Sequence, residues 1–423
     1  MLLSITVDYF AGIKIGSCKD RENISGARKW LIISVVYNLS VLGFFKYADF
    51  LIGSVNGILG TEIPLLHIPL PIGISFFTFQ TMSYTIDVYR RATSPQKNWM
   101  RYGTYVSMFP QLIAGPIVQY KTIAEQLQGR KETADDFADG INRFVIGVGK
   151  KVLLANNIGA LWDTVSGMGA ANLPVATAWI GALAYTFQIY FDFSGYSDMA
   201  IGLGKIFGFH FLENFRYPYT SKSITEFWRR WHISLGSWFR EYVYIPLGGN
   251  RCSLAKQIRN IGIVWMLTGI WHGASWNFMI WGVYYGILLI LEKFVFGKTL
   301  QKLPKVLQNI YTMFFVILGW MLFAFDRLSA GEQYIRAMFG GFGQRFFDAT
   351  TIYLLYNHAV LLVILILGVT RIPAVLAEKL KTKLSGYSEI TVTLQGIFYM
   401  GIFLLAIAYL VDASYNPFLY FRF

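Results

Sequence analysis

The sequence predicts an all-α, polytopic membrane protein, and three observations carry that expectation. The chain of 423 residues is 55% hydrophobic, with a mean hydropathy of +0.45. Only 14% of its residues are charged, against roughly 25% in soluble domains. Its apolar residues fall in runs near membrane-crossing length, separated by polar loops rich in Lys and Arg. Inside a bilayer every backbone polar group must be satisfied internally, so such runs are helices. The net charge of +13 does not read as a nucleic-acid surface. The basic residues flank apolar spans, as in cytosolic loops, and line no single polar face. The two cysteines, Cys18 and Cys252, give no disulfide framework.

The elements follow in order. Residues 2–17 form a short first span; they lack the basic n-region and cleavage site of a signal peptide. A basic loop at 18–30 precedes a second span at 31–45, then an irregular outer loop at 46–70 with Pro64 and Pro69. Residues 72–86 return. Pro110 and Pro116 make 102–118 a broken or re-entrant element. A polar loop at 119–151 ends in Lys150-Lys151. Spans at 152–170 and 175–204 follow, and then the longest polar region, 205–259. An apolar hairpin occupies 260–292, and further spans lie near 307–325, 352–370 and 392–411, the last two separated by a loop at 371–390. Most of the 37 Lys and Arg residues then fall on one side, assigned to the cytosol. The chain reads as one domain over 1–423, with an amphipathic element at 216–250 inside it.

Three constellations carry candidate chemistry. In the first, Ser223 and Glu226 have capping-box spacing. From there Ile224, Phe227, Trp228, Trp231, Leu235, Trp238, Phe239 and Tyr242 fill one helical stripe about 120° wide. Arg229 and Arg240 lie opposite and His232 sits at the edge. This is a basic amphipathic helix at the cytosolic interface. It reads either as a surface brace or as the lining of a path for an anionic donor, with Arg229, Arg230 and Arg240 near its phosphates.

The second is the hairpin VWMLTGIWHGASWNFMIWGVYYG, whose arms of about 15 residues are short for a crossing. Its turn at Gly273-Ala274-Ser275 would lie inside the membrane, with His272 just before it and Asn277 just after. A lone histidine is ordinarily a hydrogen-bonded structural residue, but an ionisable group at that depth is a functional-site hypothesis by default. In the third, Tyr185, Gln188, Asp192 and Gly195 share a helical lane and Ser194 and Asp198 form a second pair. Both buried carboxylates need partners; they either tie the bundle together or orient a catalytic histidine. No metal-ligand cluster, P-loop or Gly-x-Ser-x-Gly elbow is present in the sequence, and His67, His210 and His358 read as ordinary.

At these residues the chain resembles the membrane-bound O-acyltransferases, in particular the bacterial branch that O-acetylates alginate, cellulose and peptidoglycan. The segments carrying the resemblance are PIGISFFTFQTMSYTIDVYR at 71–90, MFPQLIAGPI at 108–117, QIYFDFSGYSDMAIG at 188–202, FWRRWHISLGSWFREYVYIPLGGNR at 227–251, GIWHGASWNF at 269–278 and YNPFLYFRF at 415–423. The resemblance implies a ring of tilted transmembrane and re-entrant helices around a central tunnel, with cytosolic amphipathic helices. It implies that His272, in its Trp271-His272-Gly273 context, is the invariant catalytic histidine and His232 the second one. It also implies acetyl-CoA as a cytosolic donor substrate, no permanently bound cofactor, and an SGNH-type, esterase-like partner that passes acetyl groups to an extracytoplasmic polysaccharide. The location implied is a bacterial inner membrane. Members of this branch usually begin with two further hydrophobic helices, whereas here the family-like ITVDYFAG segment starts at once, so Met1 is expected to be either an internal start or the start of a truncated gene model. Teichoic acid D-alanylation shares the fold and the histidines, but Tyr-Ile-Pro-Leu-Gly-Gly-Asn at 244–250 looks like the acetylating branch. A transporter or flippase would suit the broken helices, but the sequence has no inverted repeat.

Overall fold

The computed structural model describes residues 1–112, 115–383, 388–412 and 418–419. Among these the chain is helical, with no strand. Six described helical runs are long and apolar enough to cross a membrane: Ile24–Leu59, Ala134–Gly167, Trp276–Leu300, Lys305–Ala324, Ala349–Gly368 and Glu389–Asp412. This is a multi-pass membrane protein. The chain forms two compact units, one of residues 1–141, 200–212 and 237–250, the other of residues 142–199, 213–236 and 251–423.

In the first unit the helices Leu2–Asp20, Ile24–Leu42 and Ile74–Tyr89 pack on one another. Asn23 starts the second of them by accepting from the Gly26 amide at 2.8 Å. Their shared interior is polar. The Asp8 carboxylate, fully buried, accepts from Ser34 Oγ at 2.6 Å and Asn38 Nδ2 at 2.8 Å. Thr81 donates to Asn38 Oδ1 at 3.0 Å, and the Ser34 and Thr85 hydroxyls lie 2.9 Å apart. Within lipid such interhelical hydrogen bonds hold apolar-faced helices together.

Two expectations for this unit change. The second span does not end near residue 45: it passes through a wide π turn, Gly43–Tyr47, into the helix Ala48–Leu59. No proline interrupts this stretch, so the backbone keeps its internal hydrogen bonds, and the irregular loop shrinks to 60–73. The prolines of 102–118 do break that segment, into Trp99–Ser107 and Phe109–Leu112.

In the second unit the helices Leu254–His272 and Trp276–Leu291 form the hairpin, with its turn at 273–275. Small residues let the two backbones touch. An added Cβ at Gly269 would stand 2.4 Å from the Phe278 carbonyl oxygen, and one at Gly282 would stand 2.4 Å from that of Trp265. The arms are longer than the sequence suggests. The first has 19 residues, and the second continues through a π turn to Leu300, giving a 25-residue run. Polar Lys293 marks the flank of this run but does not end it. Residues 371–390 contain the helix Ile372–Lys383, in place of a plain loop.

Candidate active site

His272 is the last residue of its helix and is buried at 7% exposure. The turn that follows is set by space. A side chain at Gly273 would place its Cβ 2.2 Å from the Phe278 ring. Three aromatic rings meet the imidazole edge-on: Trp271 at 5.0 Å, Trp281 at 5.1 Å and Phe323 at 5.2 Å between centroids. His272 opens onto a cavity of about 30 Å³, lined also by Ile189, Asp192, Phe193, Trp231 and Trp320 among others. Such a space holds a group the size of a water or little more; a benzene-sized ligand needs a cavity of about 150 Å³. The imidazole and the Asp192 carboxylate are therefore the ionisable groups of an otherwise aromatic and aliphatic box.

His232 is held differently. The stripe from 224 to 242 is not one helix. Ile224–Arg230 ends at an extended Trp231, and Ile233–Phe239 begins after His232, whose φ is +45°. A left-handed histidine is uncommon and persists only when its surroundings fix it. Asn214 fixes it here: its carbonyl accepts from the Ile233 amide at 3.0 Å, and its Oδ1 accepts from the Ser234 amide at 3.1 Å and hydroxyl at 2.9 Å. Glu292, on the far arm of the hairpin, accepts from the Ile224 and Thr225 amides and so anchors the start of the same element. The break turns Trp231 into the cavity wall and buries His232 against Phe193, with ring centroids 4.8 Å apart. Burial pushes the His232 pKa down to about 3, so the ring is neutral at physiological pH. Its Nε2 meets no hydrogen-bond partner among the described residues. Trp271 stands between the two histidines, 6.0 Å from the His232 ring and 5.0 Å from that of His272.

The other sequence candidates scatter around this core. Asn277 is committed elsewhere, donating to the Phe325 carbonyl at 2.6 Å and accepting from Ser275 at 2.5 Å. It ties the hairpin turn to the end of the Lys305–Ala324 helix. Asp198 lies in a charge network outside the cavity lining: Lys150 donates to it at 2.6 Å, and Arg143 bridges it to Glu213 with a bidentate contact at 2.7 and 3.0 Å. Arg230 is paired with Glu226 at 2.5 Å and bonded to Thr220, whereas Arg229 is exposed. Arg240 is exposed in the first unit, where the adjacent Glu241 pairs with Lys121.

Sequence reasoning missed Lys151. It lies within the helical run 134–167, in a π segment Lys150–Ala155, not at the end of a polar loop. Its ammonium meets Asp192 at 2.5 Å, and both side chains are buried. The usable signal was the demand itself: two buried carboxylates, Asp192 and Asp198, require two cations, and Lys150-Lys151 adjoin an apolar run.

The family model for membrane-bound O-acyltransferases matches residues 71–331, a stretch that contains both histidines and the whole hairpin. The chain belongs to the membrane-bound O-acyltransferase family. Among relatives, the chain is 45% identical over 344 residues to the probable alginate O-acetylase AlgI of Pseudomonas aeruginosa, covering 80% of this chain and 65% of that protein. It is 36% identical to the peptidoglycan O-acetyltransferase of Helicobacter pylori over 368 residues, covering 80% and 69%. It is 30% identical to the teichoic acid D-alanyltransferase of Bacillus subtilis over 280 residues, covering 60% and 68%. The chain spans about two thirds of the length of the curated relatives it matches.

Proposed function

We propose that this protein is an O-acetyltransferase of a bacterial inner membrane. It takes acetyl from cytosolic acetyl-CoA and delivers it for O-acetylation of an extracytoplasmic polysaccharide, of the alginate, cellulose or peptidoglycan kind, through an SGNH-type partner. The observation that carries this reading is the His272 imidazole, buried at a helix end and opening onto a small aromatic cavity. The higher identity to acetylating relatives than to the D-alanylating one supports acetyl over D-alanyl transfer.

The chemistry needs few parts. A thioester is already activated. A neutral imidazole takes the proton of the attacking hydroxyl. The oxygen bonds to the acyl carbon, the carbon–sulfur bond breaks, and the proton returns to the departing thiolate. The ring of Trp271, Trp281, Trp320 and Phe323 excludes water, which protects the thioester from hydrolysis. His232, neutral and with Nε2 open, assists on the donor side, and Arg229 meets a donor phosphate.

Purified protein in vesicles, given acetyl-CoA on the face bearing the basic loops and an SGNH-type partner with polysaccharide on the other, should release free coenzyme and acetylate the polysaccharide. Turnover only with a D-alanyl-loaded carrier protein, or movement of an intact solute with no coenzyme released, would replace this reading.

A further inference from the structure

The buried pair Lys151–Asp192 does more than neutralise itself. Asp192 uses one carboxylate oxygen for Lys151 at 2.5 Å and the other for the backbone amide of Leu419, which donates at 2.9 Å. The Phe418 ring lies over the Lys151 ammonium, with the nitrogen 4.7 Å from its centroid, and meets the Tyr196 ring edge-on, also at 4.7 Å. Leu419 is 7% exposed, and its side chain lines the cavity onto which His272 opens. A segment more than two hundred residues away in sequence is thus fastened by a charge-assisted hydrogen bond and a cation–π contact, and its leucine forms part of the wall. A buried ion pair seldom stabilises a fold better than apolar residues of equal size, so stability alone does not account for this one.

We propose that Lys151 and Asp192 are positioning residues forming a latch, which holds Phe418–Leu419 as one wall of the His272 cavity and keeps water from the acyl donor. Lys151 orients the carboxylate, the carboxylate holds the Leu419 amide, and Leu419 closes the space. With the latch released, water reaches the thioester, attacks the acyl carbon in place of the acceptor hydroxyl, and yields a free carboxylic acid and the thiol. The structural half stands independently of the proposed reaction; the hydrolytic half rests on it.

Two measurements keep these halves apart. Leu419→Cys, in a chain whose Cys18 and Cys252 are serine, reports wall closure through its labelling rate with a small water-soluble maleimide. Asp192→Asn added to that chain should raise labelling by roughly tenfold or more, as expected for the loss of one charge-assisted hydrogen bond. Because Asp192→Asn leaves Lys151 buried without its counter-charge, Lys151→Met/Asp192→Leu provides a second variant that retains apolar packing. It should give the same increase at unchanged membrane insertion. Unchanged labelling in both variants overturns the latch. In vesicles with acetyl-CoA, the same variants should raise the ratio of acetate released to acetyl transferred by a similar factor. A ratio that stays constant while labelling rises overturns the water-excluding role and leaves the dock. Absence of any acetyl transfer by the unmodified protein counts against the proposed function, not against the latch.

Discussion

Each unit buries a carboxylate among its helices, and the two are served in different ways. Asp8 in the first unit is surrounded by Ser34, Asn38 and, through Asn38, Thr81; its acceptor capacity is met by neutral donors, and no ion pair to it exists among the described residues. Asp192 in the second unit holds a lysine on one oxygen and a backbone amide on the other, and it faces a cavity with a histidine. Both satisfy the rule that buried polar groups must be bonded. Asp8 lies inside a closed hydrogen-bond cluster of three packed helices, which is how membrane helices are joined. Asp192 borders open space, where its charge acts on whatever occupies that space. A buried carboxylate in a membrane bundle is therefore not a site by itself; the neighbouring cavity and the cation distinguish the two.

The contrast can be broken by substitution. Lys151→Met strands the Asp192 charge and should cost about 3–5 kcal/mol, read as a lower temperature of thermal inactivation in detergent. A negligible loss would mean that Asp192 is better hydrated than its burial indicates. Gly282→Val drives its Cβ against the Trp265 carbonyl oxygen and should cost about 1–3 kcal/mol by overpacking, while displacing His272 and lowering transfer more than that loss of stability explains. Asp8→Asn turns an acceptor into a donor facing Asn38 Nδ2 and should cost about 1–3 kcal/mol with the transfer rate per folded molecule nearly unchanged. Lost transfer at full stability would make the first unit's cluster functional. Arg229→Ala should act least, raising the KM for acetyl-CoA severalfold with kcat intact, as expected of a group that binds and does not react.

Much of this was legible in the sequence, for a physical reason. Spans and the hairpin turn are local: apolar runs and Gly273 encode them within a few residues, so His272 at a helix end could be read directly. The partners of Asp192 could not. Lys151 lies 41 positions upstream, and a lysine beside an apolar run has the same appearance whether it flanks a membrane or sits within a helix against a carboxylate. The break at His232 was hidden for another reason. The apolar period runs unbroken from Phe227 through Trp231 to Leu235, because packing asks only for large residues there. The sign of one φ angle is dictated by Asn214 from a separate segment. The YNPFLYFRF segment falls within the described residues only at 418–419.

The role given to His272 is tested most directly by His272→Ala in vesicles supplied with labelled acetyl-CoA and acceptor. Removing a general base of this kind typically costs about 10²–10⁴-fold, so acetyl transfer should fall by that factor while insertion and thermal inactivation stay close to those of the unmodified protein. Transfer within a fewfold of normal in a well-inserted variant would contradict it.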